Sequence, residues 1–256
     1  MRSIYILVLW LASAVAAVDF PAEFVHNPGG SLALSELPGY KSTPARLPES
    51  GFGLTYAQVP EAALQVAGAG GEFGFGERYR VAFFSSYLTM DSLYRRVYSE
   101  LDLSVSWLSK ENFGFIGGVG YGVSADWLPG EEGWSSNRYK LAGTLVKSPL
   151  SLAALGSLVN HRSYCKWDYS LALRFEGARL GAFVEYDGVS VEVGNFVKFS
   201  HLSVISSYRF PEFAVAVSLV FSVGDWSFSG SYGNAYPIWD WFGFTASKSI
   251  RKKTIL

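Results

Sequence analysis

From Trp167 to Phe175 the chain alternates without a break. Trp167, Tyr169, Leu171, Leu173 and Phe175 are large and apolar, and Asp168, Ser170, Ala172 and Arg174 between them are small or charged. A period of two is the signature of a strand with two unlike faces, because successive side chains point to opposite sides of the backbone. Phe213–Val223 repeats the pattern, with Phe213, Val215, Val217, Leu219, Phe221 and Val223 on one face and Ala214, Ala216, Ser218, Val220 and Ser222 on the other. Further segments with strand character are Phe52–Val59, Ala62–Gly68, Arg78–Thr89, Val97–Leu108, Phe113–Ser124, Arg138–Lys147, Leu152–Asn160, Leu180–Tyr186, Val189–Phe196, Leu202–Phe210, Trp226–Tyr232 and Trp239–Lys248. With Trp167–Phe175 and Phe213–Val223 they predict about 14 strands; 12 is the alternative, because the Phe52–Gly68 pair is the weakest.

Short turns test the phase of these strands. In a two-residue hairpin the flanking residues sit opposite each other on one face. Asp187-Gly188 places Tyr186 beside Val189, Gly224-Asp225 places Val223 beside Trp226, and Gly177-Ala178 places Glu176 beside Arg179. Each pair shares a face, so the phase is consistent around all three turns. Leu128–Asn137, with Pro129, Gly130, Glu131, Glu132 and Trp134, reads as the longest polar loop and is expected outside the cell.

The apolar face could point into a core, as in a sandwich or a lipocalin-like barrel, or out into lipid. The other face decides. Its residues are mostly Gly, Ala and Ser with scattered charges, whereas a water-facing surface carries many more Lys and Glu. Charged residues are 17% of the chain and aromatics 16%, against a usual charged share of about 25%. An all-β, transmembrane, antiparallel up-and-down barrel accounts for both, since lipid replaces water outside and small residues suit a narrow lumen. A secreted soluble ligand-binding β-protein is the alternative. The net charge of -1 gives no case for nucleic acid, and the single Cys165 cannot form an internal disulfide.

The expected organisation is a signal peptide over 1–17, an irregular N-terminal segment over 18–51, the barrel over 52–250 and a basic tail over 251–256. Arg2, the apolar run Ile4–Ala16 and the small residues Ala14-Val15-Ala16-Ala17 have the layout of a secretory signal. Pro21, Pro28, Pro38, Pro44 and Pro48 follow, half of the ten prolines, and proline cannot donate to a sheet ladder. This segment is expected to lie in or under the barrel as a lumen plug. Gly118, Gly120 and Gly122 on one strand face would leave room for it. The location implied is the bacterial outer membrane.

The small face places Arg80, Glu100, Asp102, Lys140, Asp168, Arg174, Glu185, Glu192 and Lys198 in the lumen as permeation candidates, four bases and five acids. Mixed signs suit salt-bridge networks along the wall better than a pore selective for one sign. His26, His161 and His201 lie far apart with no Cys or carboxylate at ligand spacing, so no metal and no cofactor are expected. Phe113-Gly114-Phe115-Ile116-Gly117-Gly118-Val119-Gly120-Tyr121-Gly122 is glycine-rich, but no helix follows it to receive a phosphate.

Two resemblances bear on function. Asn160-His161-Arg162-Ser163 resembles the His-x-Ser element of outer-membrane phospholipase A and the lipid A deacylases, in which His activates Ser on the outer wall. That implies a lipid hydrolase using His161 and Ser163. The Asn or Glu that orients the His about a dozen residues on has no match here: Leu173 and Phe175 cannot serve, and Glu176 is one residue out of step. The second resemblance is carried by Phe24-Val25-His26-Asn27-Pro28-Gly29-Gly30-Ser31-Leu32-Ala33-Leu34. It is similar to the Asn-Pro-Ala segment of the long-chain fatty-acid transporters and PorV/PorQ-type barrels, with Gly29 in place of the Ala. It implies a 14-stranded barrel with Asn27 and Pro28 in a plug, and small hydrophobic molecules or secretion partners, besides membrane lipids, as what the barrel meets. The chain is therefore expected to be a porin-like barrel of transport or scaffold type, without catalysis.

Overall fold

A computed structural model describes residues 50–60, 63–76, 78–91, 93–108, 113–130, 132–161, 164–211, 213–235 and 239–250. The expected signal peptide, the segment with Asn27 and Pro28, Ser163 and the basic tail lie outside the described residues.

Fourteen strands follow one another: β1 Gly51–Val59, β2 Leu64–Phe75, β3 Tyr79–Met90, β4 Tyr94–Leu108, β5 Phe113–Trp127, β6 Trp134–Lys147, β7 Leu150–His161, β8 Cys165–Glu176, β9 Leu180–Tyr186, β10 Val191–Lys198, β11 Leu202–Phe210, β12 Ala214–Val223, β13 Trp226–Ala235 and β14 Trp239–Ser249. Each pairs antiparallel with its sequence neighbours, and β1 closes on β14 to make a barrel. The closing seam is in register over its length, with Thr55 opposite Thr245 and the Ile250 amide donating to the Ser50 carbonyl at 2.6 Å. Closure leaves no edge strand, which is the condition for a sheet to stand in hydrocarbon.

The faces fall as the alternation requires. Leu171, Leu173, Val184, Val215, Val217 and Leu219 are all exposed on the outside. Arg80, Glu100, Asp102, Lys140 and Arg174 are buried on the inside. Polar interior and apolar exterior invert the usual soluble arrangement.

Several boundaries differ from the sequence reading. The predicted strand Ala62–Gly68 is Leu64–Phe75 and runs through Gly68, Gly70 and Gly71. The Phe84 ring and the Thr55 methyl fill the space over Gly68, so the strand is packed despite lacking side chains there. The predicted loop Leu128–Asn137 shrinks to 128–133, because Trp134–Asn137 pair with β5. The 12-strand alternative falls with the full pairing of β1 and β2.

Two of the three turns are also shifted. Tyr186 stands opposite Val191, not Val189, so Gly188-Val189 is the turn and Gly188 carries the left-handed φ of 88°. Glu176 stands opposite Gly181, and Arg179 lies in the turn. Both displacements are of two residues, which keeps every side chain on its face. The third turn is as read: Val223 faces Trp226, with Gly224 at φ 59°. Phe213 leaves β12 for the preceding turn, at φ 52°.

The barrel has two ends. Ser50 and Ile250 meet at one, the terminal end. The connection 128–133 lies at the other, the far end. The wall is uneven: β4 and β5 have 15 residues each, β9 only 7.

Candidate lumenal site

The inward face divides into three walls and an apolar collar. On the first wall, β2 to β6, opposite charges meet across strands. Arg80 Nε donates to Glu72 Oε2 at 2.7 Å. Lys140 Nζ donates to Glu100 Oε1 at 2.9 Å, and the Tyr98 hydroxyl also donates to Glu100. Nearer the far end, Arg96 Nε donates to Asp126 Oδ1 at 2.6 Å, Tyr94 donates to the same oxygen, and Ser124 Oγ donates to Asp126 Oδ2 at 3.2 Å.

The inward glycines of β5 belong to this wall. A Cβ at Gly120 would stand 2.4 Å from Asp102 Oδ1, and one at Gly122 would stand 2.5 Å from the Tyr98 hydroxyl. The room expected to admit the N-terminal segment at Gly120 and Gly122 is thus taken by residues of β4.

The second wall, β8 to β11, repeats the arrangement. Glu176 receives Arg174 on one oxygen and Lys198 on the other. Both cations also lie against the Phe196 ring, at 5.1 and 5.4 Å from its centroid. Glu185 and Glu192 are direct cross-strand partners, and Arg209 stands opposite Glu192 on the next strand. Asp168 sits higher, half-buried, with Lys166 Nζ at 2.8 Å. Of the nine lumen candidates, Glu100 and Lys140 are joined directly, Arg174 and Lys198 are joined through Glu176, and Glu185 lies against Glu192.

The third wall, β12 to β14 and β1, has no charged inward residue among those described. Ser218, Ser222, Ser227, Ser229, Ser231, Thr245, Ser247, Ser249, Gly51, Gly53 and Thr55 line it. Hydroxyls pair across strands, Ser218 with Ser231 at 2.6 Å and Thr55 with Thr245 at 3.3 Å. At the far end an apolar collar comes from β1 to β4, β12 and β14: Val59, Leu64, Leu88, Met90, Ala216 and Trp241, with Leu128 and Trp134 packed against it.

Sequence reasoning missed Glu72, Arg96, Asp126, Arg138 and Arg209. Arg96 and Asp126 lay just past strand ends drawn too short, and Glu72 lay in the part of β2 beyond Gly68 that was not read as strand. Arg138 and Arg209 share the inward parity of Lys140 and of Ile205 and were legible from it. His161 occupies an inward-parity position of β7, unlike the outer-wall histidine of the lipid hydrolases. Its ring stacks on Tyr164, centroids 4.7 Å apart, and meets Trp134 edge-on at 6.5 Å. Among the described residues no three His, Cys, Asp or Glu side chains are grouped to hold a metal.

No family model matches the chain, and no curated protein does. Among solved structures, the KdgM porin is similar with a TM-score of 0.46 at 12% identity, over 78% of this chain and 99% of that one. A variant of the Rh. blastica porin reaches 0.42 at 7% identity, over 80% of this chain and 100% of that one. CdiB from Acinetobacter baumannii reaches 0.46 at 7% identity, over 82% and 61%.

Proposed function

We propose that this chain is a bacterial outer-membrane barrel of transport or scaffold type whose lumen takes small hydrophobic molecules. One observation carries the membrane reading: a closed 14-strand barrel exposes its large apolar side chains outside and holds its ion pairs inside. In water that exterior would be one continuous apolar surface, far beyond what soluble monomers expose. In lipid it is the solvated face.

The apolar collar supports the ligand class. Val59, Leu64, Leu88, Met90 and Trp241 stand on the inward face and pack into one buried apolar cluster, for which a path for ions alone has no use. A concave apolar lining with polar groups deeper in is the usual form of a site for a small apolar ligand. Fourteen strands also agree with the fatty-acid-transporter resemblance of Phe24–Leu34. On that reading residues 18–49, with Asn27 and Pro28, form the plug. The chain enters the barrel at Ser50 beside Gly51, Gly53, Ser247 and Ser249, a wall of small side chains. The end bearing 128–133 faces out of the cell.

The refolded protein should quench or shift the emission of a fluorescent fatty-acid probe, and Met90→Asp or Trp241→Ser should weaken that binding. Ion conductance with no probe binding would replace this reading by a general polar pore.

A further inference from the structure

The outward face of the barrel carries polar residues, and nearly all stand at its rims. Gln58, Gln65, Arg95, Asn160, Asn234, Asp240 and Lys248 lie next to the terminal residue of a strand. Asn195 does not. It is the fifth of eight residues in β10 and is exposed, with Val193 and Val197 along its strand and Ala182 opposite on β9. Its other neighbour, Ser206 at the centre of β11, donates to Asn195 Oδ1 at 3.0 Å. No hydrogen bond from the Asn195 NH2 group is made to a described residue.

Lipid offers this amide no acceptor. A polar group left unsatisfied in hydrocarbon is costly, and in membranes such amides bond to neighbouring protein. Ser85 and Ser99, the other polar pair in mid-wall, satisfy each other and the Tyr98 carbonyl.

The same face is where the wall is lowest. Seven residues of β9, at about 3.3 Å each and tilted about 40°, rise only about 18 Å, against an apolar belt of about 25 Å. A short apolar wall is relieved by thinning the bilayer or by association with a like surface. Around Asn195 the surface is smooth and uncharged: Ala182, Val184, Val193, Val204, Val215 and Val217.

We propose that the outward face of β9 to β12 docks a second copy of this chain across a two-fold axis, with Asn195 bonding to Asn195. An amide carries donor and acceptor together, so it complements itself. The patch has no charge that would select a different partner. The proposal rests on the membrane reading above.

The test uses the full mature chain in detergent and in lipid vesicles. Sedimentation should give a dimer, and Asn195→Leu should raise its dissociation constant roughly tenfold. That variant makes the lipid face more apolar, so heat-modifiable gel mobility should persist and report an intact barrel. In a Cys165→Ser background, Asn195→Cys should cross-link two chains under mild oxidation. A heat-modifiable monomer, a dimer indifferent to Asn195→Leu, or an oligomer without the cross-link would overturn the proposal while leaving the barrel reading intact. Loss of heat-modifiability in the unaltered chain would instead overturn the membrane reading.

Discussion

Phe196 and Gly181 are direct cross-strand partners on β10 and β9, and the phenyl ring occupies the place of a Cβ on Gly181, which would lie 2.0 Å from Cζ. Two residues along the same strand pair the relation is reversed, with the Phe183 ring over Gly194 at 2.3 Å. Trp241 lies over its partner Gly233 in the same way. Aromatic rings laid over cross-strand glycines fill an inward face without narrowing the lumen by a second layer, a device that also pins register.

Gly181→Val should therefore destabilise the barrel by about 1–3 kcal/mol through overpacking. Urea unfolding in lipid vesicles measures it. The double variant with Phe196→Ala should lose less than the sum of its two single losses, because the ring that meets the new side chain is gone.

Lys140 and Glu100 are 3% and 6% exposed and joined at 2.8 Å. Lys140→Met removes the cation from the buried Glu100 carboxylate and should lower stability by about 3–5 kcal/mol, whereas replacing both residues by Met and Leu should cost much less. Equal losses for the single and double changes would mean that the pair is solvated.

Removal of residues 18–49 should leave the fourteen strands folded and raise single-channel conductance if that segment plugs the lumen. Unchanged conductance with an intact barrel would place the segment outside.

The number and phase of the strands were legible because a period of two runs through almost every one, and Trp167–Phe175 shows it unaided. Two of the three turn positions were not. The pairing Tyr186–Val189 and the true pairing Tyr186–Val191 satisfy the same face rule, since a shift of two residues restores parity. Arg96 and Asp126 escaped notice for a related reason. Strands drawn to stop at hydrophobic runs lose the charged ends that ion-pair with each other across β4 and β5. The apolar collar needs closure: Val59, Leu88 and Trp241 are far apart in sequence and gather only because β14 returns to β1. Glycine-rich β2 looked weak because the Phe84 ring that fills its gap comes from the next strand.

Val217 stands mid-strand on the outward face of β12, between Val215 and Leu219. Arg at this position should cost about 2–4 kcal/mol if it lies near the bilayer midplane. Leu at the same position should change stability by well under 1 kcal/mol, within the range of tolerated apolar swaps. Equal tolerance of both, measured by refolding into vesicles, would remove lipid from that face.

The orientation of the wall is read most directly by spin labels placed singly along β12, in a Cys165→Ser background, with the protein in bilayers. Collision with oxygen, which concentrates in lipid, should be high at positions 215, 217, 219 and 221. It should be low at 214, 216, 218 and 222, giving a period of two in phase with the exposed side chains. A flat profile, or one with the opposite phase, would contradict a membrane-spanning barrel built in this sense.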